Sequence, residues 1–533
     1  MAGPTYHLTD AGVPSTYDQG SGYDPDVVFG PAVAGTVLMD ADAWYVSAGS
    51  TFALGSGPWT VTINGRVTSA TFDANGTLTG GNAGVYLASG AAGSLLTIGT
   101  TGEVSGYHWG ILAEVRTNIT NKGVVQSLKP SGHAIDVAVT AGSYTINNSG
   151  SILGATDAGG YGLYLERSAS GLAGGVHTIL NSGLLSGETA IYSLNDASIE
   201  RVTNSGTITG LVSLGGGADV FTDFLKVKVK GKFVVKHGTV DGIVDLGYGA
   251  DTFNGGNNAE TIRDGAGADI YRLSGGNDTL IAATNTGSDG VDSADGGAGI
   301  DTINLSTVST GLFRINLDKV AHDGIAASSV VVVGLQTDRA FNFENVVAAY
   351  GDSVIYGTAA ANQLLGSYGS DKLFGLGGND VLDGGYGERD DLYGGGGRDV
   401  LTGGNTSGSG GQSGSYTDSI FHYTALSDSG PTAATRDLIT DFLSGSAPGV
   451  VEGGSIIDLS AIDAIPKTKN VNDGFVFIGN SPWGRHAGEL RYLWTAGQTI
   501  VEADVNGDGK ADFSIALAGH HTPVASDFYG LAI

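Results

Sequence analysis

GSYGSDKLF (366–374), GLGGNDVLD (375–383), GGYGERDDLY (384–393) and GGGGRDVLT (394–402) follow one another without a gap. Each opens on a Gly-rich sextet and closes on an acidic residue, a spacer and a large apolar residue, the third carrying one extra position. Gly takes φ > 0 without steric penalty, so the sextet can turn sharply. The last three residues suffice for a short strand whose central side chain points inward. A turn and a three-residue strand cannot bury a face alone, so the pattern predicts stacked coils, a solenoid. Its carboxylates are Asp371, Asp380, Asp390 and Asp399; Asp390 rather than Asp391 is in register because Leu392 is the inward residue.

Extended upstream, the alignment gives Asp352 and Asn362, with steps of 10, 9, 9, 10 and 9 across the block. An earlier block gives Asp251, Glu260, Asp269 and Asp278 at strict steps of nine, flanked by Asp219 in GGGADVF and Asp301 in GAGIDTI. Asp often caps a turn, which would explain any single position. So many positions in one register point instead to a shared ligand role. Turn carbonyls and carboxylates from stacked coils can supply the six to eight hard oxygens that calcium takes. Without a cation those carboxylates would face one another, so folding and ion binding are expected to be coupled.

Composition agrees. The 533 residues include 91 Gly and 11 Pro, which suits recurrent turns. The formal charge is −29, from 54 acidic and 25 basic residues. That balance argues against nucleic acid, whose phosphates require Lys and Arg, and favours hard cations. There is no Cys, which excludes disulfides, thiolate catalysis and Cys-based zinc sites. No 18-residue apolar run predicts a transmembrane segment. MAGPTYHLTD shows no basic and apolar leader, so an export address is expected elsewhere.

The nonapeptides match GGxGxDxUx, U being a large apolar residue, and so resemble the calcium-binding repeats of the RTX family. The resemblance implies a parallel β-roll holding several calcium ions, each ion using ligands two units apart. It pairs Asp251 with Asp269, Asp371 with Asp390, and Asp380 with Asp399. Asn362 and Glu260 depart from the pattern, which predicts weak or empty sites there.

Residues 81–212 carry a looser repeat. Gly84-Val-Tyr-Leu, Gly110-Ile-Leu-Ala, Ala134-Ile-Asp-Val, Gly162-Leu-Tyr-Leu and Ala190-Ile-Tyr-Ser recur every 24 to 28 residues, interleaved with Asn121-Lys-Gly, Asn148-Ser-Gly, Asn181-Ser-Gly and Asn204-Ser-Gly. Short strands at this period, with no helical periodicity, predict a parallel β-helix. It resembles the passenger and adhesin β-helices of secreted bacterial proteins. The Asn residues either form an internal ladder or take left-handed corners; the corner reading is favoured. In FLKVKVKGKFVVKH (224–237), Lys226, Lys228, Lys230, Lys232 and Lys236 share one parity, so a single strand would present them on one face. That face is either a solvated edge guard or a dock for an anionic polysaccharide or acidic neighbour.

After a Gly/Ser-rich stretch at 403–415, the segments RDLITDF (436–442), IIDLSAID (456–463) and VEADVNGDGKADFSIAL (501–517) resemble the C-terminal region of serralysin-type secreted proteases. That resemblance implies an uncleaved signal for type I secretion machinery. HExxH is absent, so protease activity does not follow. Asp504, Asn506, Asp508 and Asp512 follow the start of an EF-hand loop, but Ile515 stands where the bidentate Glu belongs, leaving an ion site or a polar hairpin turn.

The expected order is a β-rich cap (1–80), a parallel β-helix (81–212), a first calcium roll block (213–310), a β-rich insertion (311–349), a second block (350–411) and a secretion domain (412–533). The class is all-β. The function expected is that of a secreted calcium-binding structural protein at the cell surface or outside the cell, of adhesin, matrix or surface-layer type. Self-association or binding of cell-surface polysaccharide would accompany that role. The alternative is a calcium-dependent polysaccharide lyase or epimerase, for which His108, Arg116, His133, Tyr164 and Arg167 are eligible by type; no catalytic residue is assigned.

Overall fold

A computed structural model describes residues 60–69, 83–87 and 93–532, apart from 139–141, 166–174, 195–196, 283–289, 309–310, 333–336, 388, 405–418, 445–453 and 468–471. Outside these, only the backbone of short strands such as Thr36–Met39 and Phe52–Leu54 is described. Among the described residues the sole helical element is a 3-10 turn at Ala525–Asp527. The protein is all-β, built of parallel β-helix and β-roll coils. It divides into two compact units, one of residues 1–278 with 288–290 and one comprising the remainder.

The first unit is a right example of stacking by column. Thr117–Asn121, Val124–Ser127 and His133–Val137 form one coil, and each pairs in parallel with its counterpart in the next: Asn121 opposite Asn148, Val125 opposite Ile152, Ile135 opposite Leu163. Because alternate strand residues face opposite sides, one inward position per strand builds a continuous core column. Ile119, Ile146, Ile179, Val202, Phe221, Phe253 and Tyr271 lie directly over one another and are all buried. The column passes from the Asn-x-Gly coils into the first nonapeptide coils without a change of register, so these are one solenoid with different corners.

At one corner the favoured reading of the Asn residues is corrected. Asn121 Nδ2 donates to Asn148 Oδ1 (2.9 Å), Asn148 to Asn181 (2.8 Å) and Asn181 to Asn204 (2.8 Å), all buried. None has positive φ. They form an internal ladder because each Oδ1 also accepts a backbone N–H two residues on, as in Gly123 to Asn121, which fixes the amide in one orientation.

The lysine stripe is also corrected. Phe224–Val229 and Lys232–His237 are the two arms of an antiparallel hairpin, with Lys226 opposite Val235, Lys228 opposite Phe233 and Val229 opposite Lys232. Directly opposed residues share a face. Lys226 and Lys228 therefore lie on one face and Lys232 and Lys236 on the other, with Lys230 at the turn (φ 47°). A single strand would present all five lysines on one face, but the Lys230-Gly231 turn reverses the chain.

In the second unit, Thr302–Asn304, Asn345–Val347, Gln363–Leu365, Val381–Asp383, Val400–Thr402 and Asp437–Ile439 stack in parallel along one side. Ser353–Tyr356, Lys372–Phe374, Asp391–Tyr393, Ile420–His422 and Ile456–Asp458 stack along the other. Leu364, Leu373, Leu382, Leu392 and Leu401, the inward residues of the repeats, are fully buried. The segment expected as an insertion contributes Asn345–Val347 to the first stack and Phe313–Asn316, parallel to Ser353–Tyr356, to the second, with Ser329–Val332 pairing antiparallel to Phe313–Asn316. The C-terminal hairpin strands Gln498–Asp504 and Phe513–Ala518 close one end, the latter pairing with Asp437–Ile439.

Candidate metal centre

Within the nonapeptide blocks strands pair every 18 or 19 residues, so carboxylates two nonapeptides apart are superposed. Asp251 N–H donates to Asp269 Oδ1 (2.7 Å), Asp371 N–H to Asp390 Oδ1 (2.8 Å) and Asp380 N–H to Asp399 Oδ1 (2.8 Å). Each acidic residue thus offers one oxygen to the backbone of the coil before it. In the first unit the column runs Glu200, Asp219, Asp251, Asp269, with a second pair, Glu260 and Asp278, across the coil. In the second unit one column holds Ser353, Asp371 and Asp390, and the other Asp301, Glu344, Asn362, Asp380, Asp399 and Asp437.

The remaining oxygen carries the chemistry. Oδ2 of Asp251, Asp371, Asp380, Asp399 and Asp437, and Oε2 of Glu260, are buried and accept no hydrogen bond. A buried charge left so is costly unless a cation pairs with it. The first Gly of each unit shows where that cation fits. A Cβ on Gly375 would lie 2.3 Å from Asp380 Oδ2 and 2.5 Å from the Gly394 carbonyl oxygen; on Gly366 it would lie 2.5 Å from Asp371 Oδ2 and 2.4 Å from the Gly384 carbonyl. Carboxylate and carbonyl oxygens of two coils therefore converge where only hydrogen is tolerated. These all-oxygen sets fit calcium. Further along the turn, Gly397 has φ 153° and its Cβ would lie 1.5 Å from the Gly378 carbonyl, so no other residue can take that bend.

Burial dominates the electrostatics. It pushes Asp251 and Asp371 up to about 8, Asp380 and Asp390 to about 7, and Asp399 to about 6. The next carboxylate in the column adds to this, Asp390 for Asp371 and Asp399 for Asp380. Asp437 is likewise raised to about 8, by burial and then by Asp399.

The register assigned to Asp352 is corrected. Ser353 is the buried residue that donates its N–H to Asp371 Oδ1 (2.7 Å), while Asp352 is exposed and accepts from Ser370 N–H. The strand begins one residue later than an acid-based alignment assumes, because Val354 and Ile355, not Ser353 and Val354, continue the strand beside Lys372 and Leu373. Asn362 keeps its place by donating Nδ2 to the Glu344 carbonyl (2.6 Å). Asp269 differs from its neighbours in accepting the Tyr271 hydroxyl on Oδ2 (3.2 Å). Glu200, Asp223, Glu344 and Asp437 were missed because no Gly sextet precedes them in the required register. For Glu344 the 18-residue interval to Asn362 was the available signal.

Asp504, Asn506, Asp508 and Asp512 lie together in the hairpin between Gln498–Asp504 and Phe513–Ala518, strands rather than the helices of an EF-hand. Asp504 Oδ1 accepts Gly507 N–H (2.7 Å) and Oδ2 accepts Gly509 N–H (2.7 Å); Asp512 accepts Val505 N–H and the Asn506 amide; Asp508 accepts Lys510 N–H. These groups satisfy the turn itself.

The RTX calcium-binding nonapeptide repeat matches the chain in four copies, at residues 245–280, 286–305, 356–388 and 385–406. Among solved structures, a subunit of the mannuronan C5-epimerase of Azotobacter vinelandii is similar at 23% identity and a TM-score of 0.15, over 34% of this chain and 80% of that one. No curated protein matches. With the matched residues falling on the carboxylate columns, the chain carries RTX nonapeptide repeats that bind multiple calcium ions in a parallel β-roll.

Proposed function

We propose that this protein is exported and folds outside the cell as a calcium-dependent structural protein of adhesin, matrix or surface-layer type. The observation that carries the reading is the set of buried carboxylate oxygens without a hydrogen-bond partner in the roll. Low cytosolic calcium leaves those columns self-repelling, and external calcium at about millimolar level drives them to fold. The serralysin-like segment after the roll is the candidate address for type I secretion. A contact role is supported by the exposed hairpin, where Lys226, Lys228, Lys232 and Lys236 flank Phe233, which is 74% exposed, on a molecule of net charge −29. A second copy or an anionic cell-surface polysaccharide complements that hairpin in charge. Electron microscopy of the calcium-loaded protein tests the role: sheets or filaments that dissolve in chelator support it, and monodisperse particles at all calcium levels contradict it.

A second reading, an enzyme acting on an anionic polysaccharide, is favoured by one cluster on the first unit. Lys129 Nζ lies 3.3 Å from His108 Nδ1, His133 Nδ1 lies 3.0 Å from Asp136 Oδ2, and the His133 ring packs on Tyr164 and Tyr161 at 4.6 and 4.9 Å. Burial, then Lys129, holds the His108 imidazole below its usual range, with Nδ1 accepting from the Lys129 ammonium, while the His133 ring is oriented by Asp136 and is the candidate base. Arg116 packs over Gly142, and Arg167 lies outside the described residues. Release of unsaturated sugars or altered uronate stereochemistry from alginate or pectate, abolished in His133→Ala, would establish this reading.

A further inference from the structure

The asparagine ladder ends on a carboxylate. Asn204 Nδ2 donates to Asp223 Oδ1 (2.6 Å), and Asp223 is fully buried at the corner where the next coil has Gly255. Every amide in the ladder donates in the same direction, from Asn121 towards Asn204, so its last member needs an acceptor with no proton to offer. Asp223 supplies one, but only half of its carboxylate is used. Its Oδ2 is buried and accepts no hydrogen bond, and the same holds for Oε2 of Glu260, itself buried. The two side chains surround one spot: a Cβ on Gly256 would lie 3.1 Å from Glu260 Oε1, 3.2 Å from the Asp223 carbonyl oxygen and 3.3 Å from Asp223 Oδ2.

We infer that Asp223 and Glu260 hold a divalent cation of the calcium class, at a site that joins the asparagine ladder to the roll and draws a ligand from upstream of the matched repeats. Two carboxylates and a main-chain carbonyl form an all-oxygen set of the hardness calcium selects. The cation neutralises the charge that the ladder leaves on Asp223, and Glu260, a departure from the repeat pattern, gains a purpose: its longer side chain reaches a ligand set in which Asp223 stands where a repeat has Gly. The Lys226–Lys236 hairpin leaves and returns between Asp223 and Gly238, and Gly238 N–H donates to the Asp223 carbonyl (2.8 Å), so the ion also anchors the base of the hairpin.

The competing arrangement is one proton shared by the two carboxyl groups. Long-wavelength anomalous diffraction from crystals of the full chain grown with calcium separates the two. The inference predicts a peak between Asp223 Oδ2 and the Glu260 carboxylate, lost in Asp223→Asn while the peaks between Asp380 and Asp399 persist. Asparagine keeps an Oδ1 acceptor for Asn204, so the ladder survives the substitution; Glu260→Gln is the second variant and loses the same peak. Calorimetric titration of Asp223→Asn should count one ion fewer. Peaks in the repeats with none at Asp223 in the wild type overturn the site and leave the roll's calcium binding intact. An absence of peaks everywhere overturns both.

Discussion

Asp380 divides its carboxylate between two tasks, Oδ1 accepting the Asn362 N–H at 2.7 Å and Oδ2 facing the bare Gly375 and the Gly394 carbonyl. Loss of either half has a separate consequence. Asp380→Asn keeps the backbone bond and removes a charged ligand, and is predicted to weaken calcium binding at its site by about tenfold or more, as ligand charge count tunes such sites; calcium titration followed by thermal melting checks it. Gly375→Ala places a methyl among the ligands and is predicted to destabilise the calcium-loaded protein by about 1–3 kcal/mol, as overpacking does. Titration has a definite sign. The folded pKa values of Asp251, Asp371, Asp380 and Asp390, about 7 to 8, lie above an unfolded value of about 3.9. The folded calcium-free state therefore binds more protons than the unfolded one, and the stability this gives is full below about pH 4 and lost as pH rises through about 7 to 8. Calcium-free protein should melt at progressively lower temperature between pH 5 and 8, whereas calcium-loaded protein should not, and loading near pH 7 should release protons measurable in weak buffer. The aligned acids were readable in sequence because a charge at fixed intervals in Gly-rich turns has few other uses. Ser353 was not, since a serine before Val354 resembles any strand start and an adjacent Asp352 offered a better-looking ligand.

Strands and corners follow the same logic at the next scale. Each repeat buries one apolar residue, so Leu382→Ala, at a fully buried position, is predicted to cost about 2–5 kcal/mol in the presence of calcium. Asn148→Ala interrupts the amide ladder between Asn121 and Asn181 and should cost about 1–3 kcal/mol, the penalty for stranding buried polar groups, by the same amount with calcium or chelator. That insensitivity to calcium distinguishes the amide corner from the carboxylate corner of one solenoid. The all-β class and the coil period were legible because Gly turns and short apolar runs recur at one spacing. The ladder was not, because Asn suits both a left-handed corner and an internal hydrogen bond, and only the neighbouring coil decides between them. The lysine hairpin escaped for a similar reason: parity along a strand says nothing about where the chain reverses.

For the molecule, the columns make calcium a structural component, and the hairpin gives an acidic protein an exposed cationic feature. On the contact role proposed above, replacing Lys226, Lys228, Lys232 and Lys236 with Glu should abolish self-association in calcium, read by sedimentation, without lowering the melting temperature, since all four are exposed and the hairpin packs on neither of its faces through them. The role of the whole chain was less legible than its fold, because nonapeptides specify an ion and not what the solenoid touches. Circular dichroism of the full chain with chelator and with about millimolar calcium tests the central claim most directly. The account predicts a large calcium-dependent gain of β signal together with several bound ions per chain; unchanged spectra with no bound ion would contradict it.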